Sequence, residues 1–194
     1  MSWDSKRGAA VFFVARGGSD VTLESLLQLA GASSIASRPD IEDDPSGLRY
    51  CSWAGLSCEA HVIERTYHHV LAIYFWISDF LEMMPEGDEE VPLEEDRALP
   101  LASAFKRACE ALEPEAAFLL TKEWQSDPDY FLARELQVSI KDADALADEP
   151  FGMLYLNDDI SRYWTPDPRR DDRESLPVPR GRLVFRGRGG ERWF

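Results

Sequence analysis

Two stretches of this chain are apolar without alternation, and any fold must bury both sides of each. Ala9-Ala10-Val11-Phe12-Phe13-Val14-Ala15 is short, rich in β-branched and aromatic residues, and closed by Gly17-Gly18-Ser19-Asp20. Tyr67 to Ile77 is dense in Tyr, Phe, Trp, Ile and Val on both faces. Periodicity alone does not separate strand from helix in runs this short. Their composition predicts central strands.

The segments around them complete a pattern. Ser19 or Asp20 can cap a helix whose apolar stripe is Val21, Leu23, Leu26, Leu27, Leu29 and Ala30, with Glu24 favoured in its first turn and Gly31 ending it. Ser33 to Gly47, with Pro39, Pro45 and Asp40-Ile41-Glu42-Asp43-Asp44, reads as a loop. Leu48 to Ala54 and Ser57 to Arg65, about a Gly55-Leu56 turn, read as a hairpin whose second strand turns Glu59, His61, Ile63 and Arg65 to solvent. Ser78 to Met84 is expected to turn helical. From Pro100, the residues Leu101, Phe105, Ala108, Cys109 and Leu112 recur at helical spacing until Pro114, and Ala116 to Thr121 returns as a strand.

The order strand, helix, three strands, helix, strand predicts an α+β fold. It is expected to be a ferredoxin-like split βαβ core with an added strand, its helices on one face of a mostly antiparallel sheet. A single domain over residues 1–194 is expected, with a core over 1–122 and an extension over 123–194 packing on it. In the extension, Asp127-Pro128 opens a helix through Leu136, Asp142 to Ala147 forms an acidic helical turn, and Phe151 to Leu156 is a strand. Asn157 or Asp158 caps the turn after it, and Trp164 to Pro179 is a loop. Leu183-Val184-Phe185 and Arg192-Trp193-Phe194 are expected to pair as a C-terminal β-hairpin.

Charge decides which partners suit the chain. It has 36 acidic and 21 basic residues, a formal charge of -15. From Arg162 onward nine Arg face five acids, so that tail carries +4 and residues 1–161 carry -19. Such a field disfavours nucleic-acid phosphate and anionic membrane and speeds encounter with a basic protein. The interleaved acids of the tail favour pairing with the protein's own body, as a clamp. Between Asp79 and Arg97 nine acids meet one base, with Pro85, Gly87 and Pro92 interrupting, so this reads as an exposed acidic loop. Glu86, Asp88, Glu89, Glu90, Glu94, Glu95 and Asp96 are the candidate partner-binding residues, with Trp53, Trp124, Tyr130 and Trp164 as candidate aromatic anchors beside them, Trp124 and Tyr130 foremost. The longest apolar run, Val70 to Ile77, is far short of the roughly 20 residues of a membrane-spanning helix, and the start of the chain has no signal-peptide pattern. A soluble cytoplasmic chain is expected.

Motifs for chemistry are sparse. His61, His68 and His69 lie close together near Glu59 and Glu64, but neighbouring His68 and His69 point to opposite faces of a strand, and no HExxH is present. Gly17-Gly18-Ser19-Asp20 is neither GxGxxG nor a P-loop, and its acid works against an anion. Cys51, Cys58 and Cys109 are too few for a disulfide framework and lack CxxC spacing, so they read as buried small hydrophobes. No GxSxG occurs. No cofactor, no metal and no catalytic residue is assigned.

Leu112-Glu113-Pro114-Glu115-Ala116-Ala117-Phe118 and Pro150-Phe151-Gly152-Met153-Leu154-Tyr155-Leu156 resemble segments of bacterial polymorphic-toxin immunity proteins and related uncharacterised α+β proteins. There a helix ending in Leu-x-Pro leads into a strand, and a Gly-containing strand follows later. The resemblance implies a cytoplasmic protein that neutralises a toxin by occlusion. The function expected is a non-enzymatic acidic protein that binds a basic protein, a cognate toxin in the immunity reading. Two alternatives are a metal-binding or hydrolytic enzyme using His61, His68 or His69 with nearby carboxylates, and a structural subunit of a larger bacterial assembly.

Overall fold

Val11, Phe12, Phe13 and Val14 are buried on both sides of their strand, β1 (Arg7–Arg16), and that strand organises the sheet. In the computed structural model, residues 7–16, 22–37, 47–64, 68–76, 95–120, 153–162 and 173–186 are described. On one side β1 pairs with β5 (His68–Trp76), the second of the two apolar stretches, and on the other with β6 (Ala116–Leu120). The remaining strands are β2 (Ser33–Ser37), β3 (Arg49–Trp53), β4 (Leu56–Glu64), β7 (Met153–Asn157), β8 (Arg173–Val178) and β9 (Gly181–Arg186). They form a nine-stranded sheet in the order β2-β3-β4-β5-β1-β6-β7-β9-β8. Every neighbouring pair is antiparallel.

The architecture is therefore α+β and rich in sheet. Helix α1 (Leu23–Leu29) follows β1, α2 (Glu95–Leu112) precedes β6, and the short α3 (Asp158–Ser161) follows β7. Leu27 and Ala30 at α1, and Leu101, Phe105 and Ala108 of α2, pack against Val11, Phe13, Leu71, Ile73 and Phe75. Both longer helices thus lie on one face of the sheet. The opposite face is buried as well, through Phe12, Val14, Val70, Ala72, Phe118, Leu154 and Val184.

Several expectations are corrected. Ser33–Ser37, read as loop, is strand β2, and Arg173–Val178, also read as loop, is strand β8. Both stand at edges of the sheet, where Pro177 is tolerated because an outward-facing position needs no ladder donor. Leu183, Val184 and Phe185 of β9 are paired with β7 on one side and β8 on the other, and Arg192-Trp193-Phe194, expected as their hairpin partner, lie outside the described residues. Helix α2 begins five residues before Pro100, whose exposed ring sits inside it. The face of β4 expected to be wet is not: Glu59 is 7% and Ile63 8% exposed. Val70 and Tyr74 of β5, which stand beside Ile63 and Glu59 on that face, are buried as well. The expected helices at 78–84, 127–136 and 142–147 lie outside the described residues.

Local chemistry explains the helix ends. Thr22, rather than Ser19 or Asp20, caps α1, its Oγ1 accepting from the Ser25 N–H at 3.3 Å. At the other end Gly31, with φ of 86°, donates to the Gln28 carbonyl and Ala32 donates to that of Leu27, which closes the last turn as a Schellman motif. A side chain at that φ is strained although the space is open. Gly31→Ala is expected to cost about 1 kcal/mol in a denaturation curve.

Candidate functional site

The acidic residues proposed from sequence are placed only in part. Glu95 and Asp96 start α2, and Trp53 is a core residue rather than a surface anchor, while Glu86, Asp88, Glu89, Glu90, Glu94, Trp124, Tyr130 and Trp164 lie outside the described residues. The structure instead gathers acids at one end of the sheet. Backbone hydrogen bonds knit this end: Glu115 donates to Val14, Asn157 to Glu115, and Asp158 to Arg180. Glu64 ends β4 opposite His69 of β5, and His69 in turn faces Ala15 of β1.

Around this rim stand Glu64, Glu110, Glu113, Glu115, Asp158 and Asp159, all exposed except the half-buried Glu115. Arg162 and Arg180 lie among them. Arg180, in the β8–β9 turn, pairs with Glu113, and Arg162 reaches Asp159 at 3.7 Å. The tail thus does pair with the body at Arg180. Two of the acids sit where they cost stability. Glu110 lies in the last turn of α2, which has no basic residue, so its charge opposes the helix dipole. Glu113 takes φ of 48°, a left-handed conformation in which glycine would be unstrained. Asp158 and Asp159, in contrast, suit the first turn of α3, which Asn157 caps through a 3.0 Å bond from the Ile160 N–H.

A second polar group lies on the sheet face away from α1 and α2. Glu59 stands directly opposite Tyr50 on β3 and Tyr74 on β5. His61, two residues along the same face, stacks on Tyr74 with centroids 5.3 Å apart, and Phe12 meets the same ring edge-on at 5.8 Å. A carboxylate, an imidazole and phenols share one face here. His61 lies in the middle of β4 opposite Ala72, whereas His69, near the start of β5, stands opposite Glu64 at the end of β4. Among the described residues no group of three His, Cys, Asp or Glu is placed to hold a metal ion.

No family model matches the chain, and no curated protein matches it. Among solved structures it is similar to a Pseudomonas aeruginosa T6SS protein, at 11% identity and a TM-score of 0.45. That alignment covers 93% of this chain and 65% of the other, so the chain spans a little under two thirds of its length. No helix among the described residues is long and apolar enough to cross a membrane.

Sequence reasoning missed the rim because it is assembled from separate segments, 64, 110–115 and 158–159. One signal was available: Glu110 and Glu113 close a helix without a basic residue beside them.

Proposed function

We propose that the protein is a non-enzymatic acidic binder of a basic protein partner, and that the rim of Glu64, Glu110, Glu113, Glu115, Asp158 and Asp159 is part of the docking surface. The observation that carries this reading is the placement of Glu110 and Glu113. Glu110 opposes the helix dipole, and Glu113 holds a left-handed position whose offsetting side-chain contact among the described residues is its exposed pair with Arg180, so helix and backbone preference do not account for these acids. A chain charge of -15 steers a basic partner towards such a rim. The resemblance to immunity proteins makes a cognate toxin the partner class, met in the cytoplasm. In the scaffold, β6-β1-β5-β4 with α1 and α2 are proposed as a split βαβ core extended at both edges.

Recovery of partner from host extract at low and high salt tests this, run beside a Glu110→Gln/Glu113→Gly variant. The variant should hold its stability within about 1 kcal/mol, because glycine relieves the left-handed position while the exposed Arg180 pair is lost. Partner recovery should fall roughly tenfold in the variant and also at high salt. Recovery indifferent to both changes would overturn the proposal.

A further inference from the structure

The two cysteines of the β3–β4 hairpin face each other. Cys51 and Cys58 are directly opposed in the ladder, and their sulfurs stand 2.9 Å apart, with Cys58 Sγ also 3.2 Å from the Cys51 carbonyl. Directly opposed residues of antiparallel strands have Cα atoms about 4.5–5.5 Å apart, inside the range that a disulfide spans without backbone movement. Both side chains point into the helix-covered core, where Cys51 is 6% and Cys58 1% exposed. The third thiol, Cys109 on α2, is equally buried.

We propose that Cys51 and Cys58 are a dithiol that closes to an intramolecular disulfide and reopens on reduction, locking β3 to β4. The co-reactant is a small disulfide oxidant such as oxidised glutathione. The Cys51 thiolate attacks one of its sulfurs, forming a mixed disulfide and expelling one thiolate. Cys58 then loses its proton and attacks Cys51 Sγ, forming the protein S–S bond and expelling the second thiolate. The two protein protons end on the two released thiols, so one small disulfide is reduced as the protein pair is oxidised. Cys51 suits the attacking role because it is the less buried of the two. The hydrogen bond between the two sulfurs also holds the Cys51 thiol down, whereas that same contact and burial push Cys58 up. Cys109, held well up by burial, is the natural bystander.

The native full chain is equilibrated in glutathione buffers from reducing to oxidising, trapped by alkylation in denaturant, and read by intact mass and peptide mapping. The expected product has lost about 2 Da, carries one alkylated thiol at Cys109, and yields a linked 51–58 peptide that disappears on reduction. Its melting midpoint should lie about 5 °C above that of the reduced chain, from restriction of the unfolded state. Three alkylated thiols at every oxidising ratio would overturn the proposal, as would a persistent glutathione adduct or a link between two chains.

Discussion

Truncating Trp53 to alanine is expected to cost the fold about 4 kcal/mol, the largest loss of any single side chain considered. The indole is 1% exposed at the end of β3, edge-on to Phe13 with centroids 6.3 Å apart and tilted against Phe75 at 5.9 Å. Its Nε1–H donates to the Ala30 carbonyl at 2.7 Å, and Ala30 is the C-cap of α1. A seven-residue helix does not stand alone in water, so α1 depends on such contacts to keep its place. Alanine would leave a cavity between helix and sheet, and the Ala30 carbonyl would lose its buried donor. Trp53→Phe separates the two effects. It keeps most of the packing and removes the donor, for a loss of about 1–3 kcal/mol. Chemical denaturation checks both, and a loss below about 1 kcal/mol for Trp53→Ala would show that α1 and the hairpin are not joined through this ring.

The legibility of the fold followed burial. β1 and β5 were readable because residues buried on both faces leave a run of apolar letters that no edge segment has. The strand β2 left no such trace: in Ser-Ser-Ile-Ala-Ser only Ile35 packs against the core, and the segment is a strand because β3 lies beside it. The hairpin shows how a small displacement hides chemistry. With the turn at Gly55-Leu56, Cys51 would face Ala60. The turn is at Ala54-Gly55, with φ of 54° and 82°, and a one-residue move of the turn shifts the register by two. Faces survive such a shift but partners do not, so the Cys51–Cys58 pair was invisible while the burial of both was read correctly. The acidic rim was hidden for another reason. Its members approach only when α2, β4 and β7 end at the same side of the sheet, which is a property of topology rather than of any local run.

The β7–β9 contact joins that rim to the core, and Gly181→Ala is expected to break it at a cost of about 3 kcal/mol. A Cβ on Gly181 would lie 2.4 Å from the Leu156 carbonyl oxygen and 2.8 Å from Cε2 and Cζ of the Tyr155 ring. The nearest of these atoms is backbone and cannot swing aside, so β9 must move away from β7 or the ring must leave its buried seat. Either motion disturbs the hydrogen bond that the Tyr155 hydroxyl donates to the Arg180 carbonyl at 3.1 Å, and with it the Arg180–Glu113 pair at the rim. The phenol itself reports the change. Burial first, then the nearby Cys109, Asp158 and Glu113, push its pKa up to about 12, with Arg180 opposing. Because the folded value lies above the unfolded one of about 10, this phenol supports the fold fully below pH ~10 and that support is lost as pH rises towards 12. A ring-carbon titration of Tyr155 should therefore move back towards about 10 in G181A, alongside the loss seen in denaturation. A variant as stable as the parent, with an unmoved titration, would show that β9 does not close over the Tyr155 ring and that the rim is not anchored to the core through Arg180.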